Sequence, residues 1–204
     1  MPTSDNDWTY RPRSSVPAFV ATAVVAAGLA FAQAVDGGAA ALLRALPFAL
    51  AGVLVGWLAF AKPCVSVTDD GIDVVNPFAS YHVPWVALIL VRTRYACTFV
   101  TPHREVRAFA APGPGRYTAA TATAVDLRAT GRDPKAGADL GELPTGASGQ
   151  VAIVVQRRWK ALVESGTMPL GEADETPVTR VLDVPAIAAL VVLLALGVAL
   201  QLFH

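Results

Sequence analysis

PAFVATAVVAAGLAFAQAV at positions 17–35 and ALLRALPFALAGVLVGWLAFA at positions 41–61 are the stretches whose reading decides the architecture. A third apolar run, VPAIAALVVLLALGVALQLF, fills positions 184–203. A helix needs about 20 apolar residues to cross a bilayer core of about 30 Å, and each run is close to that length. The sequence therefore reads as an integral membrane protein whose spans bracket one water-soluble domain. Composition agrees, since 54% of residues are hydrophobic and only 16% are charged, against about 25% charged in soluble domains. Sixteen Lys and Arg balance 16 Asp and Glu. The chain thus lacks the basic excess of a general nucleic-acid binder, and no nucleic-acid partner is expected.

Lys and Arg that flank a span tend to stay in the cytoplasm. Arg11 and Arg13 precede the first run, Lys62 follows the second, and Arg157, Arg158, Lys160 and Arg180 precede the third. The link between the first two holds Asp36 and no base. The path is in, out, in, out. It makes 1–16 a cytoplasmic tail, 17–61 a transmembrane hairpin, 62–166 a cytoplasmic domain, 167–183 a linker and 184–203 a last span. The protein is expected in the plasma membrane as a multi-pass protein. Ala32-Gln33-Ala34 also fits a signal-peptidase site, although the run before it exceeds the usual stretch of about 7–15 residues. Cleavage there would leave the domain on the same side. Arg44 lies near the outer end of the second run, within snorkelling reach of the interface.

Thr22, Ala26, Ala30 and Ala34 recur at four-residue spacing, and Gly52 and Gly56 form a G-x-x-x-G pair. Small residues so spaced let helix backbones approach closely in lipid. Thr22, Ala26, Gly52 and Gly56 are therefore the expected helix-packing residues of the hairpin. Pro47 is placed to kink the second helix. The third run is bulky apart from Gly197 and reads as a lipid-facing anchor, with Asp183 as its cap and Pro185 in its first turn.

Between the spans, residues 64–111 read as strands. Val65 and Val67 alternate with polar residues, Asp69-Asp70-Gly71 turns the chain, and Ile72 and Val74 resume the alternation, a hairpin signal. Asn76-Pro77 marks the next turn. Pro84-Trp85 interrupts a strand that begins at Tyr81. Residues 86–95, 97–101 and 106–110 continue the pattern, giving about five to seven short antiparallel strands in a meander or small barrel. Residues 112–149, rich in Gly, Pro, Ala and Thr, read as a long loop. Val151, Val155, Arg158, Trp159, Leu162 and Val163 then form the stripe of an amphipathic helix ended by Gly166. The β-branched run 151–155 also suits a last strand. Trp159 is expected to be buried, closing one end of the strand layer beside Val155 and Leu162.

Strands followed by one helix bearing a Trp is a telling order. The segments VSVTDDGIDVVN (65–76), HVPWVAL (82–88) and RAFAAPGPGR (107–116), with Arg158-Trp159, resemble the bacterial pleckstrin-homology domains of small actinobacterial membrane proteins. The resemblance covers about 62–166. It implies an α+β architecture: a transmembrane hairpin and a C-terminal anchor carrying a small antiparallel pleckstrin-homology-like domain capped by one helix.

No catalytic signature is present. His82, His103 and His204 are scattered, and no metal-ligand spacing such as H-E-x-x-H occurs. No catalytic residue, metal or cofactor is expected, and the protein is not read as an enzyme. Cys64 and Cys97 are far apart and, in the cytoplasm, reduced. Arg92, Arg94, Arg104, Arg107 and Arg116 fall in a stretch whose one acid is Glu105. Arg92 and Arg94 share one strand face of the run 86–95. Anionic headgroups attract basic residues near a surface by about 1 kcal/mol each. These arginines are thus the candidate lipid-binding residues, with ordinary solvated strand edges as the alternative. The leading expectation is a non-enzymatic, membrane-anchored interaction module that binds a protein partner or a membrane complex at the inner leaflet. The second is an anionic-lipid surface reader.

Overall fold

The computed structural model of the chain describes residues 7–113, 146–166, 173 and 175–202. They fall into two compact units, one formed by the strands and one helix, the other by the apolar helices.

In the strand unit, alternation places one face of each strand inward. The first sheet has the order β1-β2-β3-β4-β8, from β1 (Trp8–Tyr10), β2 (Cys64–Val67), β3 (Gly71–Val75), β4 (Ala79–Pro84) and β8 (Thr179–Leu182). Register lines up Trp8, Val67, Ile72 and Val83 in one row and Tyr10, Val65, Val74 and Tyr81 in the next. Both rows face the core. The row between them, Thr9, Ser66, Asp73 and His82, faces out, and His82 Nδ1 lies 2.7 Å from Asp73 Oδ1. The second sheet, β5 (Leu90–Arg92), β6 (Ala96–Val100) and β7 (Glu105–Pro112), is an antiparallel meander with inner row Val91, Phe99 and Val106. The Asn76 side chain joins the sheets: its amide donates to Arg107 O at 2.8 Å, and its Oδ1 accepts from Phe109 N at 2.8 Å. These two bonds satisfy one carbonyl and one amide on the free edge of β7.

The strands differ from the sequence reading at both ends. The expected N-terminal tail contains β1, and the expected linker contains β8. The 3-10 turn Trp85–Ala87 follows β4 and buries Trp85, whose indole N–H donates to Thr68 O at 3.1 Å. Gly71 has no positive φ. A Cβ there would lie 2.5 Å from Val83 O, so close approach of β4 is what requires glycine.

Helix α2 (Ala147–Glu164) closes the core and begins inside the stretch read as loop. Its buried face is Ser148, Val151, Ala152 and Val155. Trp159 packs against the core beside Leu162, as expected, but at its margin and not fully buried. The apolar stripe starts a turn earlier than read, so its last turns run out past the deepest core. Gly166, at φ +67°, stops the helix, with its N–H donating to Val163 O.

Burial pushes the Cys97 thiol up to about 12, whereas Cys64 is partly exposed. The thiolate is the reactive form. At mildly alkaline pH a maleimide should therefore modify one thiol of the native chain, Cys64, and reach Cys97 only on unfolding. Rapid labelling of both would contradict this core.

In the helical unit, two elements among the described residues are long and apolar enough to cross a membrane, Ser15–Ala61 and Val184–Leu202. The sequence reading expects three spans. The first of the two elements, α1 (Ser15–Gly56) with the π turn Trp57–Ala61, is two helices joined end to end at a kink, so the region read as a loop is reduced to the non-helical Gly38. The element folds back on itself. Gly38 holds φ +66° and ψ −160° in its middle. In a straight helix Thr22 and Gly56 would stand about 51 Å apart. Instead a Cβ on Gly56 would come 2.8 Å from Thr22 Cγ2, and one on Gly52 would come 3.7 Å from Ala26 Cβ. Limbs 15–37 and 39–61 therefore run side by side. Helix α3 (Val184–Leu202) packs on this pair rather than standing alone as a lipid-facing anchor. Its Ala186 and Gly197 are buried, and a Cβ on Gly197 would meet the Phe48 ring at 2.7 Å.

Candidate functional site

The arginines expected to form one basic patch are dispersed. Strand β5 ends at Arg92, so Arg94 sits in the following turn, with its guanidinium 5.3 Å from the Tyr95 ring. Arg92 Nη1 donates to Glu105 Oε1 at 2.6 Å. Arg104, in the turn between β6 and β7, lies 5.8 Å from the Tyr81 ring. Arg180 of β8 lies 5.9 Å from the same ring. Arg116 lies outside the described residues.

Arg92 and Arg107 do share a surface. On the outer face of the second sheet, register places Leu90, Val100 and Glu105 in one row and Arg92, Thr98 and Arg107 in the next, with Phe109 beyond Arg107. Leu90 is 41% exposed and Phe109 55% exposed. Leu90 on β5 and Phe109 on β7 thus stand at opposite corners of this face, with the row Arg92, Thr98 and Arg107 between them, and the face mixes exposed apolar, aromatic and Arg side chains of the kinds found in protein contacts. A face on which exposed apolar side chains and an acid accompany the bases is poorly suited to headgroups alone. Sequence reasoning missed Leu90 and Phe109, although the alternation of β7, with Glu105, Arg107 and Phe109 on one side, already contained the signal.

Residues 62–140 match a family model described as Bacterial PH domain. That stretch holds β2 to β7 in order, with the core of both sheets. The chain carries a bacterial PH-like domain. No curated protein and no solved structure matches the chain. The match ends before α2 and leaves out β1 and β8, so this PH-like domain completes its first sheet and its helical cap with segments outside the matched stretch.

The expected helix-packing residues meet in pairs, Gly56 with Thr22 and Gly52 with Ala26. A second polar cluster in the helical unit was only half visible in the sequence. Asp183 caps α3, accepting from Ala186 N at 3.2 Å. It also pairs with Lys62, whose ammonium donates to Pro77 O at 2.9 Å and lies 6.0 Å from the Trp57 ring. Asp183 N donates to Phe78 O at 2.9 Å. Lys62 first, and then the Ala186 N–H, hold the Asp183 carboxyl below its ordinary value of 3.8. The folded chain thus binds that proton less tightly than the unfolded chain does. The stabilisation is complete above the ordinary value and is lost as pH falls through the lowered one. Asp183→Asn should therefore melt below wild type at neutral pH, and the gap should close at pH values under 3.8. A gap that persists in acid would show that the Lys62–Asp183 pair carries no titratable stabilisation.

Proposed function

We propose that the protein is a membrane-anchored, non-enzymatic interaction module. Limbs 15–37 and 39–61 of α1 and helix α3 each cross the plasma membrane, and the PH-like domain lies on the cytoplasmic side. Two features support the anchor. The apolar side chains of these helices remain largely exposed within the protein, Val24, Phe31 and Val192 among them, and such surface belongs in lipid. Strand β1 precedes the doubled element and pairs with β2 after it, so the chain returns to the side it left. The distribution of Arg11, Arg13 and Lys62 makes that side the cytoplasm.

PH-like domains bind lipids or proteins, and here the outer face of the second sheet favours a protein segment. The observation that carries this reading is the exposure of Leu90 and Phe109 beside Arg92, Glu105 and Arg107. A photo-reactive amino acid at position 109 of the full chain, activated in native membranes, tests it. The reading expects an adduct heavier than the chain that disappears with Leu90→Asp. Crosslinks confined to lipid, or to residues 114–145 of the chain itself, would contradict it.

A second reading, of an anionic-lipid reader, is favoured by one arrangement. Arg104 and Arg180 share the Tyr81 ring, and among the described residues neither has a carboxylate partner. Arg180 is followed within four residues by α3. Two arginines near an anionic surface supply about 2 kcal/mol. Charge removal at both should then lower retention of the purified protein on anionic vesicles at low salt, whereas a protein-docking patch is indifferent to it.

A further inference from the structure

The helical unit contains a cavity of about 630 Å³ between the two limbs of α1 and α3. We propose that it holds one acyl chain of an anionic membrane lipid, with the lipid phosphate on the Arg44 guanidinium. The site rests on the membrane reading above and adds a ligand to it.

The walls and the mouth differ in chemistry. Along its length the cavity is lined by Ala26, Leu29, Ala30, Ala45, Phe48 and Ala49. Its volume lies within the range of about 300–1,000 Å³ in which proteins hold small ligands. The limbs touch at Thr22 and Gly56, where glycine permits it, and the cavity lies between that contact and the Gly38 turn. Thr22 is polar, but its hydroxyl already donates to Ala18 O at 2.9 Å within its own helix. The remaining polar lining residues, Gln33, Arg44 and Gln201, gather at the turn end. Arg44 stands six residues from Gly38, about 9 Å along the helix. Its Nε donates to Ala40 O at 3.3 Å. Among the described residues no carboxylate pairs with it.

An apolar void facing hydrocarbon forfeits dispersion contacts along its lining. A lipid tail restores those contacts, and a cation at the mouth selects an anionic headgroup over a zwitterionic one. The guanidinium presents a planar fork that matches phosphate geometry, and the two amides supply further donors. A free anion would satisfy Arg44 but leave the apolar length empty, so the occupant is a lipid.

The test places the full chain in nanodiscs of equimolar phosphatidylglycerol and phosphatidylcholine, then releases it for native mass spectrometry. The expected result is a monomer retaining one phosphatidylglycerol in preference to phosphatidylcholine by about tenfold, the worth of one charge-assisted hydrogen bond. Arg44→Gln should abolish the preference. Ala45→Leu with Ala49→Leu, which narrow the cavity, should lower retention of both lipids without lowering the melting temperature. Equal retention of the two lipids, no retention, a lipid-free dimer, or an unchanged preference in Arg44→Gln would overturn the site. A chain that never enters the nanodisc would overturn the membrane reading, and this site with it.

Discussion

Trp85→Ala should lower the stability of the PH-like domain by about 3–5 kcal/mol, the usual cost of deleting a buried Trp side chain. Trp85 is 4% exposed and sits in the core with Val67, Ile72 and Val83. Its indole N–H also ties the turn after β2 to the end of β4 through Thr68 O. Against a total of about 5–15 kcal/mol, that loss leaves the domain marginal or unfolded. Trp85→Phe keeps most of the volume and removes the hydrogen bond, so it should cost about 1 kcal/mol for that bond plus any packing mismatch. Trp159→Ala, at a half-buried site, should cost clearly less than Trp85→Ala. Urea melts of the full chain in mild detergent, followed by near-ultraviolet circular dichroism, rank the three. If Trp159→Ala proved the more damaging, the core assignment would be wrong.

Phe109→Ala should weaken partner binding by about 2 kcal/mol or more, roughly thirtyfold, as expected where an exposed aromatic side chain anchors a partner. Glu105→Ala frees Arg92 at the rim and should change affinity by about 1 kcal/mol or less. Stability should barely move in either, because both side chains are on the solvent face of β7. The affinity of detergent-solubilised chain for the partner captured from position 109 gives the ratio. A Glu105 effect larger than the Phe109 effect would move the binding energy from the aromatic anchor to the charged groups.

How much of this could be read from residues follows the range of the forces involved. The apolar runs are local signals and were legible, as were the hairpin around Asp70-Gly71, the stop at Gly166 and the cap at Asp183. Strand β1 was not. Trp8-Thr9-Tyr10 is too short for periodicity, and only pairing with Val65 to Val67 makes it a strand. Strand β8 hides for a different reason: it is exposed along its whole length, so no alternation marks it, although Val178, Thr179 and Val181 supply β propensity. The pairing of Arg92 with Arg94 on one strand face failed where the end of a strand had to be guessed. Extending β5 by two residues puts Arg94 beside Arg92, whereas the strand stops at Arg92. The shared approach of Arg104 and Arg180 to Tyr81 joins residues distant in sequence, which no spacing rule reaches. Trp159 illustrates one limit. A helical stripe fixes which face turns inward, but not how far along its length the core extends.

The central claim is that the chain crosses the membrane three times and holds its PH-like domain and its N-terminus on the cytoplasmic side. Topology reporters placed before Trp8, after Gly166 and after His204 in bacterial cells test it most directly. The account predicts cytoplasmic signals from the first two positions and an exported signal from the third. A signal before Trp8 on the side opposite Gly166 would break the pairing of β1 with β2. A signal after His204 on the same side as Gly166 would remove α3 as a span, and either result would contradict the account.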